Sequence, residues 1–128
     1  MNGQLWVEPV GSLIVARVRG LPTEALLREC QQRVVQIARD TNSAAVHRVL
    51  YDALEMESPP VDVPLEQRRL DEQLDGLKLR RAIVVPNTRL AYLARLAFGE
   101  GDYRVFYSDI MAAITWLSQP ADSERVLD

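Results

Sequence analysis

The chain begins with two short, mostly apolar runs. Positions 5–10 and 13–19 each favour a β-strand, and Gly11 and Ser12 between them favour a tight turn. In the second run both faces stay apolar until Arg17, which is typical of an interior strand covered on two sides. The pattern therefore predicts a β-hairpin whose first strand lies at the edge of a sheet.

After the hairpin, apolar residues recur with the period of a helix. Thr23 is a suitable N-cap, and apolar residues then recur at helical spacing at Leu27, Cys30, Val34 and Ile37. Because Cys30 lies on this apolar stripe, we expect it to be a buried structural thiol rather than a reactive one.

Three further strand–helix pairs follow. The strands are predicted at 46–52, 81–85 and 104–107, and the segment 54–64 is predicted as a loop because it contains three prolines. The helices are predicted at 65–75, ended by Gly76; after a cap at Asn87 or Thr88; and from a cap at Ser108 to Leu117. The order β-β-α-β-α-β-α-β-α predicts one α/β domain over residues 1–118, with a mixed, mostly parallel five-stranded sheet and four helices. Residues 119–128 are predicted to form a flexible tail.

Composition narrows the classes of function. The chain has 128 residues, of which 48% are hydrophobic and 26% charged, as is usual for one globular domain. Its single cysteine excludes an internal disulfide and a cysteine zinc site, and its single histidine, His47, excludes a multi-histidine metal site. We therefore expect neither a metal nor a cofactor. The formal charge of −3 disfavours a nucleic-acid partner.

Targeting and catalytic signals are missing from the sequence. The first residues lack the basic and apolar regions of a signal peptide, and no apolar run is long enough to span a bilayer. We expect a cytoplasmic protein without a transmembrane segment, for which peripheral membrane contact stays open. His47 falls at the amino end of its predicted strand, and Gly99 and Gly101 follow a helix instead of preceding one. Neither a serine triad nor a phosphate loop is indicated, so we expect no enzymatic activity.

The last third of the chain carries a family resemblance. The stretch RAIVVPNTRLAYLARLAFGEGDYRVFYSDIMAAITWL, residues 81–117, resembles the closing strand–helix–strand–helix unit of the SpoIIAA-like family. That family is related to the STAS domain and to the CRAL-TRIO lipid-binding fold. The stretch VLYDAL, residues 49–54, is similar to its central strand. The resemblance covers about residues 4–118 and implies a STAS-like α/β fold.

The resemblance implies two kinds of role. One is that of an anti-sigma-factor antagonist, switched by phosphorylation of a serine just after the central strand. Here Ala53 and Leu54 occupy that place, and Ser58 is the one candidate further along the loop. The other role is binding of an apolar ligand or a membrane surface beneath a mobile helix.

Charge is segregated along the chain. Residues 52–75 contain eight acids and two arginines, whereas residues 78–95 contain five bases and no acid. Two interpretations stay open. The asymmetry could orient a partner or pair two copies of the chain, or the two segments could neighbour each other within one molecule.

These observations lead to one ligand-site hypothesis. Helix 65–75 has a thin apolar stripe, which suits either a mobile lid or a fixed surface helix. Ligands of parallel sheets bind beyond the carboxyl ends of the strands. We expect a small amphipathic, lipid-like ligand between this edge and the helix. Its polar head would contact Asn87, Thr88 and Arg89, although these side chains could instead simply cap the helix. The remaining contacts would come from Asp52, Met56, Val61, Val63, Leu70 and Leu74.

A second hypothesis needs no small ligand. Tyr92 shares a predicted helix with Arg89 and Arg95, and exposed tyrosine and arginine are typical of interaction surfaces. On this alternative the protein is an interaction regulator, either similar to an anti-sigma-factor antagonist or forming a homodimer through this surface.

Overall fold

Five strands form one mixed sheet in the computed structural model, which describes residues 3–41, 45–74, 76–99 and 101–120. The strands are β1 (Gln4–Val10), β2 (Leu13–Gly20), β3 (Val46–Met56), β4 (Lys78–Val85) and β5 (Tyr103–Tyr107). They lie in the sheet in chain order; β1 is antiparallel to β2, and the other neighbours are parallel. The predicted hairpin and the predicted mostly parallel sheet are both confirmed.

Four helices cover the sheet: α1 (Glu24–Thr41), α2 (Asp62–Glu72), α3 (Thr88–Phe98) and α4 (Ile110–Leu117). Because consecutive parallel strands are neighbours, right-handed crossovers bring α1 and α3 to the same face. There α1 packs on Ile14 and Val49, and α3 packs on Ile83. Helix α4 follows the last strand and covers the opposite face, against Ala82 and Val84. Helix α2 lies mainly on α3 and α1 and bridges the space between them.

Two predicted boundaries around the central strand are wrong. Strand β3 runs to Met56 instead of ending at residue 52, because the apolar residues Ala53 and Leu54 continue the alternation into opposite cores. Helix α2 then begins at Asp62, three residues before the predicted start. Pro64 lies in its first turn, where a backbone N–H has no helical acceptor, so this proline does not break the helix.

Two predicted helix ends also differ. Helix α2 ends at Glu72, so Gly76 is not the residue that closes it; the predicted last position, 75, lies outside the described residues. Asp109, not Ser108, caps α4: its Oδ1 accepts a hydrogen bond from Ala112 N at 2.9 Å. Ser108 instead adopts a left-handed backbone with φ 55°, which turns the chain out of β5. Most of the predicted tail, residues 121–128, lies outside the described residues.

The described helices include none that is both long and apolar enough to cross a membrane.

Candidate functional site

The loops at the carboxyl end of the sheet start three helices with side-chain caps. Thr23 Oγ1 accepts a hydrogen bond from Leu26 N at 3.1 Å, and Asn87 Oδ1 accepts one from Leu90 N at 2.9 Å. Asp109 makes the corresponding bond in α4. These caps satisfy backbone donors that an anionic ligand would otherwise bind. The geometry therefore favours helix capping as the role of Asn87, one of the two alternatives raised by the sequence.

The predicted polar group of the site is exposed at the start of α3. Asn87 is engaged in its cap, Thr88 is the first residue of the helix, and Arg89 extends over the ring of Tyr92, 5.7 Å from its centre. All three side chains lie on the surface. They are adjacent to one another, but they do not line the cavity described next.

An apolar cavity of about 90 Å³ lies beneath α2, between α1, α3 and the sheet. Of the predicted ligand residues, Asp52 and Met56 line it. Val61, Val63 and Leu70 do not line it, although Val63 is buried. Leu74 lines a separate surface groove with Arg81 and Asp102. The rest of the cavity wall is formed by residues to which the sequence analysis assigned no ligand contact: Ala16, Val18, Leu27, Cys30, Gln31, Tyr51, Ala53, Pro59, Pro64, Gln67, Ile83, Val85, Leu90, Leu93, Ala94, Ala97 and Phe98.

Asp52 is held by its neighbours. Its Oδ1 accepts a hydrogen bond from Leu54 N at 3.1 Å, and its Oδ2 lies 3.5 Å from Arg17 Nε. The carboxylate thus stabilises the backbone of β3 and pairs with β2. Ser58, the one candidate for phosphorylation, is exposed in the loop before α2.

A buried ion pair joins α2 to the sheet. Arg81 Nη1 and Nη2 donate to Asp71 Oδ1 and Oδ2 at 2.5 and 3.0 Å, and the guanidinium lies 4.3 Å from the centre of the Phe98 ring. The exposed fractions of the two side chains are 6% and 14%. Burial opposes the charge of Arg81, but its hydrogen bonds and charge interactions with Asp71 and Tyr51 together outweigh burial, and the pKa of Arg81 lies above its usual value. The acidic and basic segments therefore neighbour each other within one molecule, at least at this pair.

Two titratable groups of the cavity wall have raised pKa values. Burial raises the pKa of the Tyr51 hydroxyl above its ordinary value, and the nearby Arg81 offsets only part of that effect. Burial likewise raises the pKa of the Cys30 thiol to about 12. Both side chains line the cavity, so its wall is a poor environment for charge. The buried Cys30 agrees with the structural thiol that the sequence predicts.

Sequence reasoning missed Arg80 and Arg81 as buried residues. The predicted strand begins at Arg81 and leaves Arg80 outside it, yet each of the two residues is only 5% exposed. Arg80 lies 3.7 Å from the centre of the Trp116 ring and donates to Trp116 O at 3.2 Å, at the carbonyl end of α4. The signal was present, because two arginines directly precede a fully apolar run while acids crowd the preceding helix.

The largest exposed apolar residues gather at the carboxyl end of the sheet. Among the described residues, eight large apolar side chains are exposed, and six of them lie at the last residue of a parallel strand, in the loop after one, or in the first five residues of the helix that follows. These six are Leu21, Val61, Leu65, Tyr92, Tyr107 and Met111. The described residues contain no group of three or more side chains suited to hold a metal ion.

Comparison with protein-family models and with curated proteins finds no match. Among solved structures, the chain is similar to an uncharacterized protein from Shewanella loihica PV-4 that has a SpoIIAA-like fold. The TM-score is 0.63 at 16% identity, over 90% of this chain and 93% of that one. It is also similar to an anti-sigma factor antagonist from Mycobacterium paratuberculosis, with a TM-score of 0.63 at 13% identity, over 92% and 96% of the two chains. The strand order, the helix placement and these two likenesses together show that the chain has a SpoIIAA-like fold.

Proposed function

We propose that the protein is a non-enzymatic interaction regulator that docks an acidic partner protein on the outer surface of α3. Three exposed side chains, Arg89, Tyr92 and Arg95, form this docking strip. Helical spacing places Tyr92 between the two arginines on one side of α3. Tyr92 is 48% exposed, and this exposed aromatic between two cations is the observation that carries the proposal.

The chemistry of the strip suits an acidic surface with an apolar centre. Neither Arg89 nor Arg95 makes an ion pair with another residue in the part of the chain that the structure describes. Both guanidinium groups are therefore available to carboxylates of a partner. Tyrosine and arginine are also the residue types that contribute most to binding energy at protein interfaces.

Two further considerations favour a protein partner over a lipid-like ligand. The cavity of about 90 Å³ is far below the roughly 300–1,000 Å³ that drug-sized ligands occupy. The predicted lipid head contacts also lie outside that cavity. One structural neighbour is an anti-sigma factor antagonist, and that kind of role supports regulation by protein contact.

A photo-cross-linking residue at position 92 tests the proposal in the source cell. The matched control places the same residue at the exposed Gln32 on α1, away from the strip. A captured protein is then purified, and its affinity is measured against the chain and two charge-reversal variants. We expect Arg95→Glu to weaken binding at least tenfold and to reduce its salt dependence, whereas Arg28→Glu on exposed α1 leaves both unchanged.

Three outcomes would contradict the proposal. Equal capture from positions 92 and 32 would mean that the strip has no special affinity. An affinity unaffected by Arg95→Glu would remove the strip from the interface. Capture of the chain itself, with a dimer in solution, would favour the homodimer alternative instead.

A further inference from the structure

Two glutamines interrupt the otherwise apolar wall of the cavity beneath α2. Gln31 projects from α1 and Gln67 from α2, and both line the cavity. The Nε2 atom of Gln31 and the Oε1 atom of Gln67 are buried, and neither has a hydrogen-bond partner in the described part of the chain. Two different helices thus each bring a glutamine to the cavity wall, and each of these glutamines has one buried amide atom without a partner.

Such atoms call for an explanation. Buried polar groups in folded proteins are almost always hydrogen-bonded, because leaving a donor or acceptor unpaired is costly. Leucine would occupy nearly the same volume as glutamine without that cost. A group that both accepts and donates a hydrogen bond would satisfy Gln31 and Gln67 together.

We propose that the cavity binds a small neutral molecule with a short apolar body and one alcohol or primary amide group. The oxygen of that group accepts from Gln31 Nε2, and its O–H or N–H donates to Gln67 Oε1. The apolar body packs against side chains such as Val18, Leu90 and Leu93.

Size and electrostatics define the ligand class further. A volume of about 90 Å³ is close to the van der Waals volume of a molecule with four or five carbon atoms and is far too small for a lipid. Burial raises the pKa of both Cys30 and Tyr51 by disfavouring their charged forms, and it would penalise a charged ligand in the same way. The site is separate from the docking strip, because neither Arg89, Tyr92 nor Arg95 lines the cavity.

Methyl NMR titrations with two probes test this inference. The probes are 2-methyl-1-propanol and 2-methylbutane, which have the same shape and differ in the hydroxyl group. In the wild-type protein we expect the alcohol to shift the methyl signals of Val18, Leu90 and Leu93, and to show intermolecular NOEs to them. The methyl signals of Val10, at the far end of the edge strand and exposed, serve as the internal control.

Matched variants separate the polar contact from simple cavity filling. We expect Gln67→Leu and Gln31→Leu each to weaken binding of the alcohol at least tenfold, while binding of the hydrocarbon is unchanged or tighter. Gln32→Leu, one residue away and exposed on α1, should change neither affinity. Ala94→Leu should abolish binding of both probes, because it fills the space that they occupy.

Several results would overturn the inference. The absence of NOEs from the alcohol to the lining methyl groups at tens of millimolar probe would do so with the wild-type protein alone, whether or not a variant folds. An equal loss of binding for both probes in the glutamine variants would contradict the proposed hydrogen bonds. Water NOEs at the two amides that the alcohol does not displace would mean that water alone satisfies these groups.

Discussion

The ion pair between Asp71 and Arg81 is the connection whose loss we expect to affect α2 most. Substituting Asp71→Asn leaves a guanidinium that is 6% exposed without a counter-charge. Breaking a buried pair by removing one partner costs about 3–5 kcal/mol. Because Asp71 retains some exposure, we expect about 3 kcal/mol, the lower end of this range.

We expect the variant to remain folded in the absence of denaturant, so its loss of stability can be measured. A domain of this size is stable by roughly 6–19 kcal/mol, at about 0.05–0.15 kcal/mol per residue. The unfolding entropy is about 0.27 kcal/mol/K, at about 2.1 cal/mol/K per residue, so a loss of 3 kcal/mol lowers Tm by about 11 °C. Urea denaturation and thermal melts followed by circular dichroism give the two values independently.

A double-mutant cycle identifies the cause. Asp71→Asn and Arg81→Met each leave a partner unpaired, whereas the double variant leaves no charge behind, so we expect a coupling energy of at least 2 kcal/mol. Glu66→Gln is the control, because the Glu66–Arg69 pair lies on the same helix but is open to solvent and should contribute at most about 1 kcal/mol. The reasoning is refuted if Asp71→Asn costs no more than this control, or if the coupling energy is close to zero.

Two further predictions concern the cavity wall and the helix caps. The pKa of Cys30 rises from 9.0 in the unfolded chain to about 12 in the folded protein. The contribution of the protonated thiol to the free energy of unfolding is therefore complete below pH 9 and is lost between about pH 9 and 12. Between pH 8 and 10.5 we expect the free energy of unfolding to fall by about 2 kcal/mol less in Cys30→Ala than in the wild-type protein, measured by urea denaturation at both pH values. The same fall in both proteins would contradict this. Asp109→Ala should lower the free energy of unfolding by about 1 kcal/mol, whereas Ser108→Ala should change it by only a few tenths, because Asp109 accepts the capping bond. Equal effects of these two substitutions in urea denaturation would argue against Asp109 as the cap.

Much of the architecture follows from the sequence alone, because it depends on local periodicity. Two mostly apolar runs around Gly11 and Ser12 were enough to predict the hairpin, and helical spacing around Cys30 and Val34 was enough to predict the apolar side of α1. The element order then led to the parallel sheet, since strand–helix–strand connections have one favoured hand. Caps at Thr23 and Asn87 were also predictable, because a cap is made within four residues.

The boundaries that failed are those where a local signal has two meanings. Asp52 looks like the end of a strand, but its carboxylate bonds Leu54 N and the strand continues. Pro64 looks like a helix breaker, but in a first turn it costs no hydrogen bond. Which meaning applies depends on the segments that pack around the residue, and the identity of the residue alone does not indicate them.

Only the tertiary structure decided the candidate sites. Gln31 and Gln67 look like ordinary polar residues of surface helices until the packing of α2 and α1 brings both side chains to the wall of one cavity. Arg81 and Asp71 are ten residues apart on different elements, and their pairing follows from how α2 packs over the sheet. The sequence by itself determined which segments are helices and strands and which of their sides are apolar, because those properties reside in neighbouring residues. Enclosure, burial of charge and the meeting of two helices arise only when distant segments pack together.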